Sequence, residues 1–320
     1  MKKAMYINPW LLLTGLLILM SCISSNPFPP VRGNGTPVDK KYNVSDFHGI
    51  DVSGGVDVIL TQGNTEGVTL TAQENLFEHI TVVVEQGILR IYTEKNFLSV
   101  KPMKARIEFK SIEKLKVSGG GDVTCEKSID VPKLDMNISG GGDLSSEINT
   151  GELKCRMSGG GDADISGNIK DYNITMSGGG DLESDIDARI IYCNLSGGGD
   201  LSLRNTGKAD DAHIIISGGG EITLSMDVEQ LKCSVTGGGD AGLKGQAENL
   251  ELDISGGGDV HAESFISANA SVQASGGSDI HVNVTKTLTG NISGGGDVYY
   301  SGNPENVSID TKGGSEIHKQ

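Results

Sequence analysis

Ser139–Asp143 reads SGGGD, and the same five letters or near copies recur down the chain. Three consecutive glycines are costly to order, because glycine loses more conformational freedom on folding than any other residue. A catalytic loop is normally built once, so repetition points to architecture or to a surface made by repetition. Taking the closing acid as position zero, the series from Asp122 runs Asp143, Asp162, Asp181, Asp200, Glu221, Asp240, Asp259, Asp279, Asp297 and Glu316. The spacings are 21, 19, 19, 19, 21, 19, 19, 20, 18 and 19 residues.

The columns around the motif alternate. Position −7 holds Leu115, Met136, Cys155, Ile174, Cys193, Ile214, Cys233, Leu252 and Val272, and position −5 is apolar in most copies, as in Val117, Ile138, Met157 and Leu195. Positions −8 and −6 are mostly polar. After the acid, position +1 is apolar in every copy, from Val123 and Leu144 to Val298 and Ile317. Alternation with period two marks half-buried strands. Each repeat is therefore strand, glycine turn, strand, then a more variable return. One such unit cannot bury its apolar face, but stacked copies can. The spacing predicts an all-β chain whose main part is a parallel β-solenoid of coils about 4.8 Å apart. The competing arrangement, SGGGD as hairpin turns in an antiparallel barrel or sandwich, does not require identical columns.

The chain divides on composition. Lys2 and Lys3 precede an apolar run, Leu11–Met20, and then Cys22. Residues 1–21 read as a secretory signal of the lipoprotein type, with Cys22 lipidated as the mature N-terminus. Residues 22–42 are rich in Pro, Gly, Ser and Asn and are expected to be a flexible tether. Residues 43–114 form a β-rich N-terminal part, with a hairpin expected about Gln86-Gly87 flanked by Val82, Val84, Leu89 and Ile91. FHGIDVSGGVDVIL (residues 47–60) keeps the column register, so a first coil precedes this irregular stretch. Residues 115–320 are the repeats.

FHGIDVSGGVDVILTQG (47–63), VTLTAQENLFEHITVVVEQGILRIYTEK (68–95) and IEKLKVSGGGDV (112–123) resemble the head GIN domain family. The resemblance implies a β-solenoid-like fold, a secreted or lipid-anchored location in Bacteroidetes-type bacteria, and an auto-transporter adhesin role. It supplies no catalytic residues.

The formal net charge of −16 argues against nucleic acid and anionic membrane surfaces as partners. No GxSxG, HExxH or Walker-type signature occurs, and repeats this short leave no room for the loops that build a cleft. An enzyme is not expected; glycan processing on a β-helix is the outside alternative. Aromatic residues are only 4% of the chain, so aromatic sugar platforms are scarce.

Three side-chain sets could hold something. Stacking places Asp122, Asp143, Asp162, Asp181, Asp200, Glu221, Asp240, Asp259, Asp279 and Asp297 in an acidic ladder. Calcium is the cofactor such a ladder could take, although calcium wants six to eight oxygens and the bland reading is that each Asp bonds its own turn, as in Asx-turns. His261 and His281 share position +2 with Tyr299 and His318, and Glu263 lies on the same strand face as His261; these could hold zinc or copper weakly. Cys155, Cys193 and Cys233 fall two coils apart in one inward column, roughly 9.6 Å, too far for disulfides, and are expected to be buried thiols. The composite expectation is a non-enzymatic lipoprotein of the cell envelope, anchored in the outer membrane through its N-terminal lipid. It would be a structural or adhesive module presenting a polar acidic face to a protein or glycan. The alternative is a calcium- or metal-binding surface protein.

Overall fold

The computed structural model describes residues 29–98 and 100–320. The signal segment and Cys22 lie outside the described residues.

The chain winds into a parallel β-solenoid. Ile129–Gly140, Leu144–Gly159, Ala163–Gly178, Leu201–Gly218, Ile222–Gly237, Ala241–Gly256, Val260–Gly276 and Ile280–Gly294 each run through most of a coil. The return expected to be variable is thus itself extended. Every coil pairs in parallel with the next, and the partners are the residues that share a column. Met136 sits beside Cys155, Cys155 beside Ile174, Ile174 beside Cys193, Cys193 beside Ile214 and Ile214 beside Cys233. Direct parallel pairing over whole coils excludes the hairpin barrel.

Alternation builds the core. The −7 column from Leu115 to Val272 and the +1 column from Val123 to Val298 are buried without a break. Each buried Leu, Ile or Val contributes about 1.5–3 kcal/mol, and stacking makes the contribution cumulative along the axis. The alternation slips once more within a coil, where two outward residues follow each other, as at Gly151–Glu152 and Glu229–Gln230. There the strand turns without leaving the ladder.

The glycine corner is where stacked backbones come closest. Gly178 has φ +135°, and a Cβ there would lie 1.6 Å from the Gly159 carbonyl oxygen of the preceding coil. A Cβ at Gly180 would lie 2.0 Å from Gly161 O, whereas one at Gly179 would meet nothing within 4 Å. The first and third glycines are therefore demanded by the stacking and the middle one is not.

The N-terminal part belongs to the same stack. Gly49–Ser53 pairs with Lys114–Ser118, and Asp57–Gln62 pairs with Val123–Cys125, so the first coil lies directly on the second. Residues 63–113 are an excursion that covers the end of the stack. Ile80–Glu85 and Ile88–Thr93 form the expected antiparallel hairpin, with Gln86 and Gly87 at φ 52° and 73°. Ile88–Thr93 continues the sheet beyond Gly49–Ser53, and Lys104–Phe109 continues it beyond Asp57–Gln62.

The tether expected over residues 22–42 is corrected in its second half. Val31–Arg32 pairs with Phe97–Leu98, and Pro37–Tyr42 pairs antiparallel with Gly67–Gln73. The order has a physical source that composition hides. Tyr42 packs against the core, Asp39 accepts from the Thr71 hydroxyl (2.7 Å), and the ladder supplies the backbone partners. Its leading proline and its Asp39-Lys40-Lys41 run suit an outermost strand, since proline and charge discourage further pairing.

Candidate functional site: the acidic ladder and the histidine column

The closing acids form a hydrogen-bonded ladder between coils rather than local turns. Asp162 N–H donates to Asp143 Oδ1 at 2.9 Å, Asp181 N–H to Asp162 Oδ1 at 2.9 Å and Asp200 N–H to Asp181 Oδ1 at 2.8 Å. The same bond joins Asp122 to Asp143, Asp200 to Glu221, Asp240 to Asp259, Asp259 to Asp279, Asp279 to Asp297 and Asp297 to Glu316. The expected Asx-type closure is thereby replaced. The backbone explains why. At this corner the carbonyl of each Asp accepts from the +1 N–H of the preceding coil, as Leu144 N–H does to Asp162 O at 2.8 Å. The Asp N–H, turned toward the preceding coil at the corner, finds a carboxylate oxygen there.

The magnitudes favour the arrangement. Neighbouring carboxylates about 4.8 Å apart repel by roughly 0.9 kcal/mol in water. A hydrogen bond to a charged group contributes about 1.5–3 kcal/mol, which outweighs that repulsion. Only one oxygen per Asp is used in this way. Among the described residues no lysine or arginine pairs with a ladder acid; the one ionic partner within the run Asp122–Asp297 is His318, whose Nε2 lies 3.5 Å from an Asp297 oxygen. Basic residues pair elsewhere, across coils in exposed columns, as Lys232 does with Glu251 at 2.6 Å and Arg156 with Asp135 at 3.1 Å. The edge is thus a polar, acidic stripe flanked by Ser139, Ser158, Ser177, Ser196, Ser217 and their successors.

The structure brings His261, Glu263 and His281 together. His261 and His281 are direct partners across adjacent coils, with ring centroids 5.7 Å apart. Their column continues as a stack: His281 to Tyr299 at 4.7 Å and Tyr299 to His318 at 5.0 Å. Glu263 Oε1 lies 3.7 Å from His261 Nδ1 and 3.3 Å from His281 Nδ1. Burial and the neighbouring acids Asp297 and Asp279 raise the Tyr299 phenol above its ordinary range.

Cys155, Cys193 and Cys233 are buried free thiols in the predicted column, and Cys125 is a half-buried one. Burial pushes Cys155 and Cys233 up to about 12 and Cys193 higher still. They act as small core residues, not nucleophiles.

Sequence reasoning missed the inter-coil acceptor role of the ladder acids. A signal was present: the acid stays Asp wherever the next coil's N–H needs it, and where Glu221 intervenes the ladder skips a rung, because no bond joins Asp240 N–H to the Glu221 carboxylate. No helix among the described residues is long and apolar enough to cross a membrane.

A parallel β-solenoid with a glycine-cornered acidic edge is the class of protein these features define. The profile of the family described as "Putative auto-transporter adhesin, head GIN domain" matches residues 46–210 and 189–304, and the chain belongs to that family. Among solved structures, a "putative lipid binding protein" from Parabacteroides distasonis is similar at 22% identity and TM-score 0.40, covering 91% of this chain and 100% of its own. A "putative adhesin" from Parabacteroides merdae is similar at 17% identity and TM-score 0.43, covering 92% of this chain and 100% of its own. No curated protein matches the chain.

Proposed function

We propose that the chain is a non-enzymatic adhesive module of the cell envelope. It would be held to the outer membrane by a lipid on Cys22 and present its acidic stripe to a protein or glycan. Membership of an adhesin-type family supports the general role. The observation that carries the finer reading is the ladder itself. Its inner oxygens are spent on neighbouring N–H groups, while the remaining oxygens repeat at coil spacing without lysine or arginine partners among the described residues. A regular row of acceptors suits a partner that is itself extended and rich in donors. Calcium fits this edge poorly, since one free carboxylate oxygen per coil falls short of the six to eight oxygens it prefers.

The test replaces Asp162, Asp181 and Asp200 together by Asn. Asn keeps an Oδ1 acceptor for the next N–H but removes the charge. Cells displaying the protein are scored for retention on glycan and matrix-protein surfaces, with protease shaving of intact cells as the exposure check. Loss of retention with an unchanged melting profile is the expected result. Equal retention would show that the acidic stripe is not the contact surface, and resistance to shaving would remove the adhesive reading. Turnover of an envelope polysaccharide would overturn the non-enzymatic one.

A further inference from the structure

The histidine column contains a departure from the repeat that the adhesive reading leaves unused. Coils are joined residue for residue almost everywhere, but Val260–Gly276 slips against both neighbours. Against the preceding coil, Gly242 faces His261 while Lys244 faces Ser264. Against the following coil, Ala262 faces Val282 while Ile266 faces Asn283. The slip is a bulge: Ala262 and Phe265 are buried, and Glu263 and Ser264 both point outward between them. Bulges re-aim side chains and concentrate beside functional sites. Here the bulge turns Glu263 toward the Nδ1 atoms of two histidines at once. Gly242 precedes His261 in the same column, so no side chain crowds that flank.

A second, independent observation concerns His281. Its Nδ1 is shielded from solvent and has no hydrogen-bond partner. The Glu263 carboxylate stands 3.3 Å away without meeting hydrogen-bond geometry. A buried polar atom without a partner costs about 1–3 kcal/mol, so this Nδ1 is left available to a ligand that would satisfy it. Among the described residues this is the only cluster in which three potential ligand atoms, from His261, Glu263 and His281, lie within 4.8 Å of one another.

We propose that His261, Glu263 and His281 form a binding site for one divalent transition metal of the zinc class. Tetrahedral zinc with bonds of about 2.0–2.1 Å sets its ligand atoms roughly 3.3 Å apart. The Glu263–His281 pair already has that separation, at 3.3 Å, and Glu263–His261 is near it at 3.7 Å. The imidazole of His261 is more than half exposed and free to close the remaining gap. Two imidazoles and one carboxylate select zinc, copper or nickel over calcium, which prefers oxygen. With His261 and Glu263 about half exposed, a fourth position on that side would be open to water or to a donor from a partner. A bound ion would clip the bulged coil to the next one.

Titration calorimetry of the tag-free full chain with zinc chloride tests the proposal. One zinc per chain is expected. His261→Ala and Glu263→Gln should each weaken binding by more than about tenfold, the lower bound for losing even an outer-shell partner. His318→Ala, in the same column but outside the cluster, should bind as the parent does. Zinc should raise the melting temperature of the parent and of His318→Ala but not of His261→Ala. A hundredfold excess of calcium should leave zinc bound. Absence of binding, parent-like binding by both cluster variants, or displacement by calcium would each overturn the assignment. His261 and Glu263 are exposed, so their substitution leaves the fold intact, as the melting profile without metal verifies.

Discussion

Replacing each glycine of one corner by alanine, singly, separates the stacking argument from a general account of flexible turns. Take Gly178, Gly179 and Gly180. Alanine at 178 places a methyl carbon 1.6 Å from Gly159 O, and alanine at 180 places it 2.0 Å from Gly161 O. Both obstacles are backbone, so the coils must part. At 178 the residue also sits at φ +135°, which carries about 1–3 kcal/mol of strain for a residue with a Cβ. Parting the coils also releases the neighbouring bond from Gly179 N–H to Gly159 O, now 3.1 Å, worth about 0.5–1.5 kcal/mol. Strain and the lost bond alone put the expected loss for Gly178→Ala at about 3 kcal/mol, and Gly180→Ala, with a longer approach and no positive φ, should also destabilise but by less. At 179 nothing lies within 4 Å, and alanine there restricts the unfolded chain, a gain of about 0.4–1 kcal/mol. Urea unfolding followed by circular dichroism, with amide exchange across the corner, reads the difference. A solenoid need not unfold in one step, so midpoints and local exchange are compared rather than a single fitted stability. If Gly179→Ala weakens the protein as much as Gly178→Ala, or if all three are tolerated, the glycines are not there for coil-to-coil approach.

Asp200→Ala removes the acceptor of the Glu221 N–H, now at 2.7 Å, and should destabilise by about 1–3 kcal/mol in chemical unfolding. Asp200→Asn should stay close to the parent; equal loss in both would mean that charge, not the acceptor, matters. The melting temperature should be unmoved by millimolar calcium or by chelator if the ladder serves the backbone rather than an ion; a calcium-dependent rise would reverse that. Intact-mass measurement under non-reducing conditions should find no bond among Cys155, Cys193 and Cys233, and iodoacetamide at pH 8 should leave them unmodified until the chain is unfolded. Their raised folded-state values also set an alkaline limit. The folded chain holds these protons more tightly than the unfolded one, so the contribution is complete below about pH 9 and is lost as pH rises toward about 12. A melting temperature that climbs between those values would contradict their burial.

The coil, its register and its core columns were legible because a parallel stack repeats each environment once per coil. Met136, Cys155 and Ile174 sit in one column, so three chemically different residues report the same inward position. Order in Pro37–Tyr42 was hidden for the opposite reason: it depends on pairing with Gly67–Gln73, a partner the local composition cannot reveal. The ladder acids were read as a row, but their partner was missed. An Asp that bonds its own turn and one that bonds the next coil look alike in sequence; only Glu221, where the row of bonds is interrupted, distinguishes them. In a repeat, positions that obey the period recur in every coil, so a site present only once departs from it. The step from Asp259 to Asp279 is 20 residues where the two steps before it are 19, and the extra length becomes the bulge at Glu263. The next step, to Asp297, is 18, so the following coil is short where the bulged one is long. That mismatch sets Glu263 against His281 instead of against its counterpart at +4, Asn283, whose side-chain amide donates to the Glu263 carbonyl. The same reasoning ranks the rest of the surface. The regular SGGGD corners are explained by stacking, and the site proposed for a zinc-class ion belongs to the irregular stretch between Val260 and Tyr299.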